Sequence, residues 1–406
     1  MQKEKLLKNE SIYYMRNTTN KIVIGSAVHA FALLIATYII WNIPDDWTAG
    51  GSLLQKIHVV RSLSAKVDSL PDDLVLINTC YDHCMIPVYD EIGIECGEFD
   101  ITDRAKLLEL LKYLAKENDY RYAVIDIRFD RQFVSPSDSA FYSFLSKLPR
   151  CCIPRSSSEG SIEKTIRHLS AISEYNTNIQ NNNFLKYQYL SPYGESIALR
   201  MAKDIDGISV RKLGPFFFEN YKLCINSHIL DIRTNVLSEY RENHEKNILQ
   251  LGSDVLPLIE SGEKGVFANK IVMIGDCFRE DIHTTVAGPV SGMMIIYNAY
   301  HAILDENNIP ALWLWAVLLL LYFIITLLIL NNIKRYQFPL LNKLEKFPLF
   351  AILIEWAGFG LLFSLVGAAS FFFANTYIDA WICASYFTLF DRVCSFIRNN
   401  QLTNHK

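Results

Sequence analysis

The chain has 406 residues, half of them hydrophobic and one fifth charged, with a mean hydropathy of +0.14. Soluble chains run about 45–50% apolar and about 25% charged, so this modest excess excludes both a wholly soluble enzyme and a protein that is membrane throughout. The formal net charge of −4 hides a split: residues 44–310 carry 27 Lys+Arg against 37 Asp+Glu, and the remainder carries 12 against 6. An acidic middle between basic ends fits a water-soluble domain held by a few membrane spans and makes nucleic acid a poor partner.

Residues 22–43 form the first apolar stretch, with His29 as its single ionisable group. A span needs roughly 20 apolar residues, whereas a signal peptide has a core of about 7–15 and a small-residue cleavage site. Thr37-Tyr38-Ile39-Ile40-Trp41 offers no such site, so the segment is expected to be an uncleaved anchor. Leu74-Val75-Leu76-Ile77 follows Pro71-Asp72-Asp73 and is expected to be a buried strand. Thr102-Asp103 caps a helix with Leu107, Leu108, Leu111 and Leu114 at helical spacing, ending near Asn118. Tyr122 to Ile127 is a second strand, and strand–helix–strand predicts a βαβ unit. Ser137-Asp138 starts a helix through Leu145, residues 156–183 are polar loop, and Gly194-Glu195 leads a helix through Ala202. Asn235 to Leu251 has the spacing of an amphipathic helix. Lys270 to Gly275 is a third strand, Asp276 to Gly288 a polar loop, and Pro289 opens a helix through Leu304. Only Asp305 to Pro310 separates that helix from the next apolar stretch, so its shifts have little chain to cross.

Residues 311–330 form that stretch, with Trp313 and Trp315 at its start, as suits a membrane interface. The 44 residues from Phe347 to Phe390 are too long for one span. They are expected to fold back near Gly367-Ala368-Ala369-Ser370 into spans 347–366 and 371–390. Lys and Arg cluster in residues 1–21, 331–346 and 391–406. With four spans all three segments fall on one side, which the positive-inside rule makes cytoplasmic. Residues 44–310 then face outward. The fold expected is an extracytoplasmic α/β domain with a mixed, partly parallel sheet on a four-helix transmembrane bundle.

Asp73 to Ile77, Tyr122 to Phe129 and, above all, Phe267 to Leu304 resemble the CHASE extracellular sensory family of the second type. The resemblance covers about residues 40–395, and its most specific part is the strand ending at Gly275, then Asp281, Thr284-Thr285 and Gly292. It implies a near-N-terminal span, an α/β sensory domain and about three closing spans. Two departures stand out: Thr284-Thr285 replaces a Thr-Pro pair, and the first strand keeps only Asp82 of an acidic repeat. Such domains feed a cyclase or kinase output, but only about 15 residues follow the last span. The resemblance therefore implies a sensor without its own effector, working through a separate partner protein and open to homo-oligomerisation, in a bacterial inner membrane.

Candidate ligand contacts are Asp276, Asp281, His283, Thr284 and Thr285, all just beyond a strand end, where α/β sheets bind ligands. Asp126 and Asp130 flank Arg128 at another strand end and are expected to pair with Arg128 or Arg131; if the two strands are parallel neighbours, Asp130 and Asp281 share a rim and Asp130 is a candidate contact. The alternative for the loop is that its Asp and Thr side chains only satisfy turn amides. A metal-dependent hydrolase on Asp276, Asp281 and His283 is a second class of reading, and a transporter subunit a third. No catalytic motif, metal or cofactor is expected. Seven of nine cysteines lie in the outward domain. Cys80-Tyr-Asp-His-Cys84 lacks a second metal-binding pair, leaving a disulfide or buried thiols. Charges inside a membrane are costly and functional by default. His29, Glu355 and Asp379 are therefore candidates for intramembrane coupling, with a His29–Glu355 hydrogen bond tying the first span to the closing hairpin.

Overall fold

The computed structural model describes residues 2–44, 70–90, 92–129, 135–156, 163–173, 184–237, 247–285, 287–332, 348–374 and 376–404. They fall into two compact units, an α/β domain that ends at Asn308 and a helical unit formed by the two ends of the chain.

The chain opens with helix α1 (Gln2–Trp41). The α/β domain then runs through β1 (Leu74–Asn78), the hairpin β2 (His83–Tyr89) and β3 (Glu95–Thr102), α2 (Arg104–Glu117), β4 (Tyr122–Asp126), α3 (Asp138–Leu145), β5 (Cys151–Arg155) and β6 (Ser170–Ile172). Its middle holds β7 (Lys186–Gln188), β8 (Leu190–Ser191), β9 (Gly194–Glu195), α4 (Ile197–Asp206), the meander β10 (Val210–Leu213), β11 (Phe216–Glu219) and β12 (Lys222–Cys224), then β13 (Ser227–Ile229). It closes with β14 (Ile248–Gln250), a π-helical turn leading into α5 (Leu256–Glu260), β15 (Ile271–Gly275), the hairpin β16 (Ile282–Thr285) and β17 (Gly288–Ser291), and α6 (Gly292–Leu304).

Six strands make one sheet in the order β14-β1-β15-β4-β5-β6, every neighbouring pair parallel. The antiparallel pairs lie in small separate sheets, so the mixed sheet expected from the sequence is instead a parallel one with satellites. Side chains alternate across a strand, so a sheet covered on both faces needs apolar residues at every position. β1 and β15 meet that need: Leu74, Leu76, Ile271 and Met273 face one core with α4 and α6, while Val75, Ile77, Val272 and Ile274 face the other with α2 and α3. Helix α2 begins as its sequence predicts, with the Asp103 carboxylate accepting the amides of Ala105 and Lys106, and ends at Asn118 in the left-handed region.

Several elements depart from the sequence pattern. The amphipathic helix expected over Asn235–Leu251 is not formed at its described ends. Asn235 accepts the Leu237 amide in a turn, and Ile248 to Gln250 are instead edge strand β14, paired with Leu76 to Asn78. Apolar Ile248 and Leu249 fit the sheet edge as well as a helix face, and tertiary pairing decides between them. Residues 238–246 lie outside the described set. Gly194-Glu195 is a strand turning back on β8, and α4 starts after Ser196, whose hydroxyl accepts the Leu199 amide. The helix expected from Pro289 starts three residues later, because Gly288, at φ +93°, turns the chain into the β16–β17 hairpin. All nine cysteines are free thiols, so the disulfide reading does not hold.

In the helical unit α1 is joined by α7 (Leu312–Leu330), α8 (Pro348–Ala374) and α9 (Ala380–Asn404). Among the described residues three segments are long and apolar enough to cross a membrane: Asn20–Trp41, Leu312–Leu330 and Ala351–Ala374. The fold-back is not at Gly367–Ser370, which α8 passes through without a break; of the described residues between α8 and α9, 376–379 are non-helical. Gly367 serves a close approach instead, since a Cβ there would lie 2.7 Å from the Ile378 carbonyl oxygen of the returning chain. The Asp379 carboxylate accepts the amides of Trp381 and Ile382 and caps α9. At the far end of α9, Arg398 Nη1 donates to the carbonyls of Ile329 at 3.0 Å and Leu330 at 3.3 Å, the last of α7.

Candidate functional site at the carboxyl ends of the central strands

β15, last of the sheet strands in sequence, is inserted between β1 and β4. Register therefore sets Asn78, Gly275 and Asp126 side by side at the carboxyl edge. Ligands of parallel sheets bind at this edge, where successive loops diverge. Gly275 is needed there: a Cβ would lie 3.0 Å from the Asp126 carbonyl oxygen and 3.2 Å from the Met293 sulfur of α6.

Asn78, fully buried, organises one side. Its Oδ1 accepts the Cys277 amide at 3.0 Å, and its Nδ2 donates to Gln250 Oε1 at 2.7 Å and to the Cys80 sulfur at 2.9 Å. Asp276 is committed to its own loop, accepting the amides of Phe278, Arg279 and Glu280 at 2.7, 2.9 and 2.7 Å. That is the turn-satisfying role. Thr285 likewise bonds within its hairpin, donating to the Gly288 carbonyl and accepting the Ala287 amide. Thr284 gives its carbonyl oxygen to the Phe184 amide at 2.7 Å, and its side chain is exposed.

The chemistry concentrates on Asp281. Its carboxylate lies 2.9 Å from His283 Nε2, meets the Asp126 carboxyl, and rests on the first residue of α6. A Cβ on Gly292 would come within 1.8 Å of Asp281 Oδ2, so only glycine admits the carboxylate there. Burial, and after it the Asp281 carboxyl, push the Asp126 carboxyl well above the ordinary carboxylate range. Two carboxyls in contact share a proton more readily than they both ionise. The arrangement can therefore hold a proton, or exchange it for a cationic or hydrogen-bond-donating group.

Of the residues expected at this rim, Asp281 and His283 are together, Asp276 and Thr285 are turned to structural bonds, Thr284 has an exposed side chain, and Asp130 lies outside the described residues. The partner of Asp281 is Asp126, one of two acids the sequence offered as a partner for Arg128. Asn78 was not legible as a site residue; its only signal is a polar side chain ending an otherwise apolar strand. Asp82 lies beyond the carboxyl ends of β1 and β14 and is engaged there by Lys106 Nζ at 2.7 Å and the Gly252 amide at 3.1 Å. Among the described residues no three His, Cys, Asp or Glu side chains are grouped as metal ligands would be.

The intramembrane trio is not assembled. His29 bonds Thr326 on α7 at 2.8 Å and Tyr386 on α9 at 2.6 Å, while Glu355 on α8 pairs with Arg392 on α9 at 2.8 Å. The expected His29–Glu355 bond is replaced by two separate ties, because tyrosine and arginine on α9 reach these groups first. Thr37 bonds the Tyr322 hydroxyl at 2.8 Å, so α1 and α7 are also joined directly.

Fold and edge together define an α/β recognition domain carried by a chain with membrane-competent helices. A family model described as the CHASE2 domain matches residues 90–331, more than half of the chain, and the protein belongs to this family of extracellular sensory domains. No curated protein and no solved structure matches it.

Proposed function

We propose that the protein is a membrane-anchored extracytoplasmic sensor whose signal acts on the Asp126–Asp281 carboxyl pair. α9 serves as the fourth span in this reading, so the Lys/Arg-rich segments are cytoplasmic and residues 44–310 lie outside, with a bacterial inner membrane as the setting. The carrying observation is the seat of Asp281 directly on Gly292, the first residue of α6. A small polar or cationic signal that replaces the shared proton changes the charge at the start of α6, and α6 leads through residues 305–311 into α7. A signal shifts two states only by its differential affinity for them, and the pair supplies that difference through its proton. Output passes to a separate effector protein.

The proton itself is the accessible probe. Amide hydrogen exchange of the full chain in detergent should differ between pH 5.5 and 8 along α6, by roughly tenfold or more in rate beyond the intrinsic pH effect. Asp281→Asn should abolish that difference. An α6 whose protection is the same at both pH values, or pH-dependent in the variant as well, would sink the proposal.

A further inference from the structure

The meander β10–β12 is fixed to the last residues of the α/β domain. The Ile225 amide, just past β12, donates to the Asn308 carbonyl at 2.7 Å. Asn308 Nδ2 donates to Glu219 Oε2 at 2.7 Å, with both side chains buried, and Lys222 is ion-paired with Glu306. Leu312, the first residue of α7, comes four residues after Asn308. Four residues of extended chain span at most about 14 Å, so the meander is tethered within short reach of the start of a membrane-competent helix.

Register divides the side chains of the meander between two faces. Phe217, Glu219 and Cys224 are buried on the inner one. Side chains alternate along a strand, so the outer face carries Phe218 with its cross-strand partners Arg211 and Leu223, and Leu213 with its partner Phe216. An antiparallel sheet with one face on a core normally turns polar residues to the other. Here that other face is apolar except for Arg211: Leu213 is 71% exposed, and Phe216, Phe218 and Leu223 are half-buried. Tyr221 extends the patch. It sits in the two-residue turn between Glu219 and Lys222, with Asn220 at φ +43° and Tyr221 itself at φ +73°. Glycine, asparagine and aspartate suit such a turn and a bulky ring does not, yet this ring is there and 92% exposed, packing nothing within the domain.

The charge on this surface opposes that of the domain. Residues 44–310 are acidic, but Arg211 on the outer face and Lys212 beside it on edge strand β10 are exposed and belong to no ion pair among the described residues. Exposed apolar patches with a polar rim mark docking surfaces. Tyrosine is favoured at headgroup level in a bilayer, and Lys and Arg are drawn to anionic lipid. A second copy of the chain would bring the same two cations to the face, whereas an anionic bilayer complements them.

We propose that the outer face of the β10–β12 meander docks on the bilayer that α7 enters, with Leu213, Phe218, Leu223 and Tyr221 at headgroup depth and Arg211 and Lys212 against the phosphates of anionic lipid. This rests on the membrane-anchored reading of α7 and not on the carboxyl pair. A docked meander holds residues 306–308 at the membrane surface, so a shift of α6 passes into α7 instead of rocking the domain.

The test is photo-crosslinking of the full chain in nanodiscs of phosphatidylglycerol and phosphatidylcholine. The photoreactive residue p-benzoylphenylalanine replaces Tyr221, Leu320 or Tyr81 in turn, and lipid adducts are read by mass spectrometry. All three side chains are exposed, so the variants fold. Leu320 lies on α7 and reports whether that helix is in lipid, while Tyr81 lies beyond the carboxyl end of β1 and supplies the background. The lipid adduct at residue 221 should exceed that at residue 81 at least about fivefold. Adduct at 320 with only background at 221 overturns the proposal and leaves the anchored reading standing; no adduct at 320 overturns both. Adduct at 221 to a second copy of the chain gives the face to a dimer and overturns the proposal. Arg211→Gln combined with Lys212→Gln should lower the yield at 221 about fivefold and leave that at 320 unchanged. An unchanged yield at 221 overturns the phosphate contacts and the proposal with them.

Discussion

The two ends of α6 are built on opposite terms. At its N-terminal end Gly292 admits the Asp281 carboxylate at contact distance, and burial, with Asp281 beside it, pushes the Asp126 carboxyl well above the ordinary range. At its C-terminal end the chain is equally well anchored, through Asn298, and a cavity of about 250 Å³ lies beside it. One end has charge and no space, and the other has space and a small excess of charge.

Three substitutions test this contrast. The largest expected effect is at Asn298, where alanine strands the buried amides of Arg233 and Thr234. Unfolding in denaturant should show a loss of about 3 kcal/mol. If the loss is below about 1 kcal/mol, the cavity wall is not held as described. Next is Gly292→Ala. The added methyl collides with the Asp281 carboxylate, costing about 2 kcal/mol after the better helix propensity of alanine is counted. Combining it with Asp281→Ala should recover most of that loss, and strict additivity would show that the two residues do not meet. The smallest effect is the pH slope set by Asp126. Its folded carboxyl titrates above the unfolded value of 3.8. Its contribution is therefore complete below that value and is lost as pH rises through the elevated folded one. Stability of wild type measured from pH 4 to 8 should fall relative to Asp126→Asn, and parallel curves would contradict a shared proton.

The sheet was the most legible part of the chain. Leu74–Ile77, Tyr122–Asp126 and Ile271–Gly275 are apolar runs that only a strand covered on both faces explains, and all three are central strands. β14 was not legible, because Ile248 and Leu249 suit a helix face equally and only their pairing with β1 selects the strand. The turn at Gly288 hides in the same way, since a Gly-Pro pair opens a helix as readily as it reverses a hairpin. For the site, the cluster after Gly275 was visible as composition, but its partition was not. Asp276 and Asp281 look alike in sequence; one is consumed by three local amides and the other reaches a different strand. The cavity had no local signal at all. Asp231, Arg233, Tyr297, His301 and Asp305 come from two segments some 65 residues apart, and their meeting is a matter of tertiary packing.

The contact of Arg398 with the final carbonyls of α7 has a mechanical meaning. A guanidinium that grips main-chain oxygens at a helix end is indifferent to which side chains the helix carries. It registers how far the helix has turned, and one residue of winding swings each carbonyl by about 100°. α7 and the tail of α9 are thus tied through main-chain oxygens, so that a turn of the one would strain its bonds to the other. A partner that grasps the tail would be reading the rotation of a helix it never touches.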